Sequence, residues 1–171
     1  DQRQVDRLAV DLKDRSIDIL INNAGIFGPR NIGIDNMDYQ AWTDVIGVNT
    51  LSPLRISSAF IKHVAQSEMK KIITISSIMG SISKNDSGGE YIYRSSKAAV
   101  NMVMHSFAHS VEAHNITVAM FHPGWVKTDM GGESASIDVK TSVSGLRKSI
   151  AGLNVKDTGC FLNYDGEPLP W

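Results

Sequence analysis

Tyr93 and Lys97 stand four residues apart, which on a helix puts both side chains on one face, a single turn along. A phenol ordinarily titrates near about 10 and is a poor acid or base at neutral pH. A neighbouring ammonium favours the phenolate and is expected to pull that value down toward the working range. A tyrosine tuned this way can protonate a carbonyl oxygen during reduction, or deprotonate an alcohol during oxidation. The same spacing also arises when a tyrosine and a lysine share a helix face and do no chemistry. Ser76 and Ser77 follow an apolar run, and the end of a parallel strand is where open sheets place their ligand crevices. A hydroxyl there can hydrogen-bond a substrate oxygen whose charge changes in the reaction. Simple turn formation is the alternative for such a pair. Asn49 falls where a long helical pattern is interrupted. A break frees backbone carbonyls that can hold a water linking Lys97 to solvent, although a capping or turn asparagine fits equally.

These residues need elements to position them. Val5, Leu8, Ala9 and Leu12 recur at helical spacing, so residues 2–14 read as an amphipathic helix. The short run Ile17 to Ile21 is β-branched and nearly all apolar, as suits a strand buried on both faces of a parallel sheet. Asn22-Asn23-Ala24-Gly25 then reads as a turn. A helical region extends from about Asp38 to Ser67, with a break or kink expected near Asn49 and Pro53. Lys71 to Ser76 is a second buried strand, followed by a polar, glycine-containing loop from Ser83 to Glu90. Residues 91–114 form a third helix, with Ala98, Met102, Val103 and Phe107 among its apolar positions. Ile116 to Phe121 is a third strand, residues 131–151 a loop and helix, and Gly159 to Tyr164 a last strand. Strands alternating with helices imply right-handed crossovers and a parallel sheet covered on both faces. The expected fold class is α/β and doubly wound, in one domain spanning residues 1–171.

Composition removes several classes. Formal net charge is −1 with no long basic run, so no electrostatic footprint for nucleic acid exists. No apolar stretch reaches the length of a membrane span, and no signal peptide opens the sequence. The one cysteine, Cys160, cannot form an internal disulfide, which suits a reducing, cytoplasmic setting.

Five pieces then occur in order: N-N-A-G at 22–25, V-N-T-L-S-P around Asn49, I-S-S-I-M-G around Ser77, Y-R-S-S-K from Tyr93, and P-G-W-V-K-T-D from Pro123. This succession resembles the short-chain dehydrogenase/reductase family from end to end of the chain. The resemblance implies a Rossmann-like fold and a nicotinamide-dependent oxidoreductase with a catalytic set of Asn49, Ser77, Tyr93 and Lys97. It selects Ser77 over Ser76, because the family's serine is followed by two residues and a glycine, here Ile78-Met79-Gly80. Tyr91 lacks the partner, since Ser95 lies four residues on. The resemblance also assigns cofactor contacts. Asn22, Ala24 and Gly25 would line the adenosine-ribose side and support the sheet, and Tyr93 and Lys97 would reach the nicotinamide ribose. Pro123, Gly124, Val126 and Thr128 would cradle the carboxamide. The stretches G-G-E-Y-I-Y-R-S-S-K, H-P-G-W-V-K-T-D-M-G-G and Y-D-G-E-P-L-P-W are similar to the C-factor/sniffer-like carbonyl reductase branch. That similarity implies NADP in preference to NAD, a small carbonyl or alcohol substrate, and a homodimer or homotetramer. It also leaves open a C-factor-like signalling or protein-interaction module that keeps the fold without redox turnover.

Family members open with a strand and a T-G-x-x-x-G-x-G turn that seats the pyrophosphate on a helix N-terminus. That turn is absent from these residues: Gly25, Gly28 and Gly33 follow the wrong strand at the wrong spacing. The expectation is therefore that the sequence begins partway through a longer enzyme, the short chain being the alternative. His105 and His109 share a helix face, but the glutamate of H-E-x-x-H and a third ligand are missing, so no metal is expected. His122 reads as packing. Met102, Met104 and Met120 read as core filler, and Met130 as filler or part of a substrate mouth. Trp125 reads equally as packing or as a cap over the nicotinamide.

Overall fold

A computed structural model describes all of residues 1–171. Its centre is a four-stranded parallel sheet of β1 (Ile19–Asn22), β2 (Lys71–Ile75), β3 (Thr117–His122) and β4 (Cys160–Asn163), in that spatial order. Five helices surround it: α1 (Gln2–Asp11), α2 (Tyr39–Ile46), α3 (Ser52–Ala65), α4 (Tyr91–Ser110) and α5 (Val139–Gly152). Strand side chains alternate faces, and the core divides accordingly. Ile72, Val118, Met120 and Phe161 meet Val64 of α3 and Val100, Met104 and Phe107 of α4 on one face. Ile73, Ala119 and Phe121 meet Ile150 of α5 and Leu153 on the other. The doubly wound α/β class expected from the sequence is the class observed.

One topological expectation is corrected. The first two crossovers run over the α3/α4 face, whereas the third, through α5, runs over the opposite face. The strand order nevertheless keeps advancing in one direction. A step of the same sense over the opposite face reverses the hand, so the third crossover departs from the uniform hand that parallel sheets favour. Lys71 helps to fix it. Its buried ammonium donates to the carbonyls of Ile150 at 2.7 Å and Ala151 at 3.2 Å. A cation there satisfies the last carbonyls of α5 and offsets the negative end of its dipole.

Two local expectations also shift. β1 is not buried on both faces: Ile21 is 49% exposed, because no helix covers that part of this outer strand. Met102 is 66% exposed and is not core filler, whereas Met104 and Met120 are fully buried. The break expected near Asn49 and Pro53 takes the form of a π-helical turn, Gly47–Leu51, with Asn49 and Thr50 buried inside it, and Pro53 follows in the first turn of α3. Such π-helical turns insert a residue into a helix and recur at functional sites.

Candidate active site

The carboxyl ends of β1, β2 and β3 open into a cavity of about 790 Å³. Asn23, Ala24 and Gly25 follow β1 into its wall, Ser76 and Ser77 follow β2, and Pro123 and Gly124 follow β3. Tyr93 and Lys97 reach it from the first two turns of α4, and Val126, Thr128 and Met130 from the loop after β3. The first turns of α5 close the remaining side with Val139, Ser142, Val143 and Leu146.

Ser77 caps a 3-10 turn, Ile78–Gly80, and its hydroxyl accepts from the Met79 N–H at 3.1 Å. Gly80 presses this turn directly against α4. A Cβ there would lie 2.7 Å from the Lys97 carbonyl carbon and 2.9 Å from the Lys97 Cβ. No side chain larger than hydrogen fits between the serine turn and the helix that carries the lysine. Ser76 also lines the cavity, but its hydroxyl donates to Asn101 Oδ1 at 2.6 Å and is committed to packing.

Tyr93 and Lys97 share one side of α4, with the Lys97 Nζ 5.6 Å from the centre of the Tyr93 ring. Nζ donates to the Ile75 carbonyl at 3.0 Å, leaving the other ammonium protons for the cavity. Burial brings the Lys97 pKa down to about 8. For Tyr93 the expected shift is reversed. Burial raises its pKa above the ordinary tyrosine value, and the neighbouring Ser77 hydroxyl lowers it only in part. Desolvation dominates because the phenolate would be taken from water into an apolar wall. At neutral pH Tyr93 therefore carries its proton, the form needed to protonate a carbonyl oxygen.

Asn49 stands beside this pair without lining the cavity. Its Oδ1 accepts from the Ile26 N–H at 2.9 Å, and its Nδ2 donates to the Ile26 carbonyl at 2.8 Å and to Ser96 Oγ at 3.0 Å. The π-helical turn thus uses Asn49 to hold the strand-end turn at residues 24–26 against α4, next to the lysine. Asn22 does not reach the cavity. Its Nδ2 donates to Ser57 Oγ at 3.0 Å and to Thr74 Oγ1 at 3.3 Å, tying β1 to α3 and β2. Of the two tasks expected of it, sheet support is the one its geometry serves, and Asn23 takes the wall position.

After β3 the chain turns at Gly124, whose φ of +84° suits glycine. A Cβ there would run into the Ile137 side chain. Ser142 Oγ donates to the Pro123 carbonyl at 2.6 Å, pinning this turn to α5. Trp125 is 53% exposed, and its indole N–H donates to the Gly131 carbonyl at 2.8 Å, so it braces the loop while lining the cavity. His122 also lines the cavity, and burial holds its pKa down to about 4, leaving it neutral. His105 Nδ1 donates to the Gly159 carbonyl at 2.9 Å, and no metal-holding cluster of side chains occurs. Two residues escaped the sequence reading. Phe27 stacks on Tyr93 with ring centres 4.5 Å apart, and the Arg30 guanidinium lies 4.7 Å over Phe27. Neither carries a periodic or motif signal that would have exposed it.

A proton-bearing tyrosine, a lysine one turn on and a serine at a strand end, all on one crevice of a parallel sheet, define a class. The family model described as short chain dehydrogenase matches residues 1–137, and the chain belongs to that family. Relatives agree. The C-signal protein of Myxococcus xanthus is 38% identical over 155 residues, which cover 91% of this chain and 93% of that protein. The solved structure of the carbonyl reductase Sniffer of D. melanogaster matches with a TM-score of 0.93 and 38% identity, over 100% of this chain and 75% of that one. The NADPH-bound carbonyl reductase from chicken fatty liver matches with a TM-score of 0.91 and 36% identity, over 100% of this chain and 74% of that one. No helix is long and apolar enough to cross a membrane.

Proposed function

We propose that this oxidoreductase reduces a carbonyl compound, or oxidises the matching secondary alcohol, with NADP(H). The observation carrying the reading is that Ser77, Tyr93 and Lys97 open onto one cavity at the carboxyl ends of the strands. Several features fit a nicotinamide nucleotide. The wall at Gly25 and Gly124 is bare of side chains, and Lys97 keeps donors free for ribose hydroxyls. The NADPH-bound carbonyl reductase from chicken supports the choice of NADP over NAD. When bound, the nucleotide supplies the hydride in reduction and accepts it in oxidation.

The chain's own residues do the rest. Ser77 holds the substrate oxygen, where its hydroxyl stabilises the charge that builds as the carbon is attacked. Tyr93 gives its proton to that oxygen, completing the alcohol, and recovers one through Lys97. Asn49 holds the 24–26 turn beside Lys97, where a water relay to solvent would run. Pro123, Gly124, Val126 and Thr128 form the cradle for the carboxamide, and Ala24 and Gly25 the wall on the far side. Replacing Tyr93 with Phe should lower ketone turnover by about 10²-fold or more. NADPH binding, followed by nicotinamide fluorescence, should persist. Retained turnover would refute the assignment.

A second reading, an interaction module that keeps the fold without redox turnover, is favoured by the similarity to C-signal over 91% of this chain. An NADPH titration separates the two. Micromolar binding supports the oxidoreductase, and no binding supports the module.

A further inference from the structure

Phe27 is the residue through which the proton donor meets the loop opposite. Its ring stacks on Tyr93 at 4.5 Å with 21° between planes, and the Arg30 guanidinium carbon sits 4.7 Å from its centre. Phe27 thus touches both the cation and the phenol. The chain reverses to build this at Gly28, whose φ is +85° and where an added Cβ would stand 3.1 Å from Val45 Cγ2 and 3.3 Å from Ile92 Cγ2. Arg30 then reaches across the cavity mouth, and its Nη2 donates to the Met130 carbonyl at 2.7 Å. Phe27 and Met130 both line the cavity.

We infer that Phe27 and Arg30 are positioning residues: Phe27 fixes the plane of the Tyr93 ring, and Arg30 clasps the loop around Met130 over the substrate side. This rests on the oxidoreductase reading for its catalytic consequence and on the geometry for the positioning itself. A ring stacked against one face of the phenol closes that face to the carbonyl. The cation held against the Phe27 ring anchors the Met130 loop to that side chain, while the stack on Tyr93 is made by Phe27 itself.

The test compares Phe27→Ala, Phe27→Tyr and Arg30→Ala with the parent in the full chain. Ionisation of Tyr93 is followed by ultraviolet difference titration against a Tyr93→Phe background, which needs no turnover. Phe27→Ala should admit water to the phenol, bring its titration midpoint down toward ordinary tyrosine, and lower kcat about tenfold, the upper end for an aromatic pair. Phe27→Tyr, which keeps the stack, should restore both. Arg30→Ala should raise KM for the ketone, leave the Tyr93 midpoint in place, and speed amide exchange over residues 125–131. An unmoved midpoint in Phe27→Ala, or a Phe27→Tyr variant as impaired as the alanine, overturns the inference. If the parent itself shows no NADPH turnover, the titration and exchange measurements still decide the positioning, so the two readings fail separately.

Discussion

Gly80 sets the distance between the serine turn and the lysine helix, and alanine at that position measures how much this distance matters. The added Cβ would stand 2.7 Å from the Lys97 carbonyl carbon and 2.9 Å from its oxygen. Carbon atoms settle at about 3.5–4.0 Å, so turn and helix must separate by about 1 Å. The obstacle is helix backbone, which cannot rotate aside as a side-chain tip would. Forced expansion of this kind costs about 1–3 kcal/mol of stability. A displacement of about 1 Å between reacting groups can lower a rate about 100-fold. The assay pairs steady-state ketone reduction with denaturant unfolding. Gly47→Ala serves as control, because nothing lies within 4 Å of its added carbon. The expected result is a large loss of kcat in Gly80→Ala with a partial loss of stability, and near-normal behaviour in Gly47→Ala. Full activity and full stability in Gly80→Ala would refute the claim that this contact sets the site.

Other outcomes follow from the buried titrating groups. The folded-state pKa of Lys97 lies at about 8 and the unfolded value at 10.5. The unfolded chain therefore binds the extra proton, and the folded state gains about 3 kcal/mol as pH rises from 8 to 10.5. Lys97→Met should be inactive, more stable than the parent at pH 7, and should lack that gain across the window in urea unfolding. His122 works on the acid side, with a folded pKa of about 4 against 6.5. Stability should drop as pH falls from 6.5 to 4, and an Asn at this position should remove that part of the drop in a pH series of melting curves. Lys71→Met leaves two carbonyls at the end of α5 without their donor. It should cost about 2 kcal/mol by denaturant unfolding while kcat with saturating substrates changes little.

Much of this site could be read from spacing alone. Four residues on a helix is one turn, so Tyr93 and Lys97 had to share a face once α4 was recognised. Ser77 rather than Ser76 came only from the family resemblance, whose serine is followed by two residues and a glycine, and the contact between Gly80 and Lys97 supplies a physical reason for that glycine. Asn49 was legible as a helix interruption, but its bonds to Ile26 were not, because they join segments 23 residues apart. The direction of the Tyr93 shift depends on how much water the assembled cavity excludes, which no local pattern encodes. Phe27 and Arg30 were invisible for a similar reason: their roles exist only once the loop after β1 folds back over α4. Met102 followed the apolar pattern of α4 and still faces outward, since periodicity marks a stripe and not how far the neighbouring elements extend along it.

The switch of α5 to the far side of the sheet also divides labour within the crevice. The chain enters β3 from beneath one layer and leaves it into the other, and the two layers part at that strand's end. One wall, from α4, carries Tyr93 and Lys97, the proposed proton machinery; the other, from Val139 to Leu146, carries apolar shape and a single hydroxyl anchor. Substitutions along that second wall can redraw the outline offered to a substrate while the acid, its lysine and its serine stay where they are.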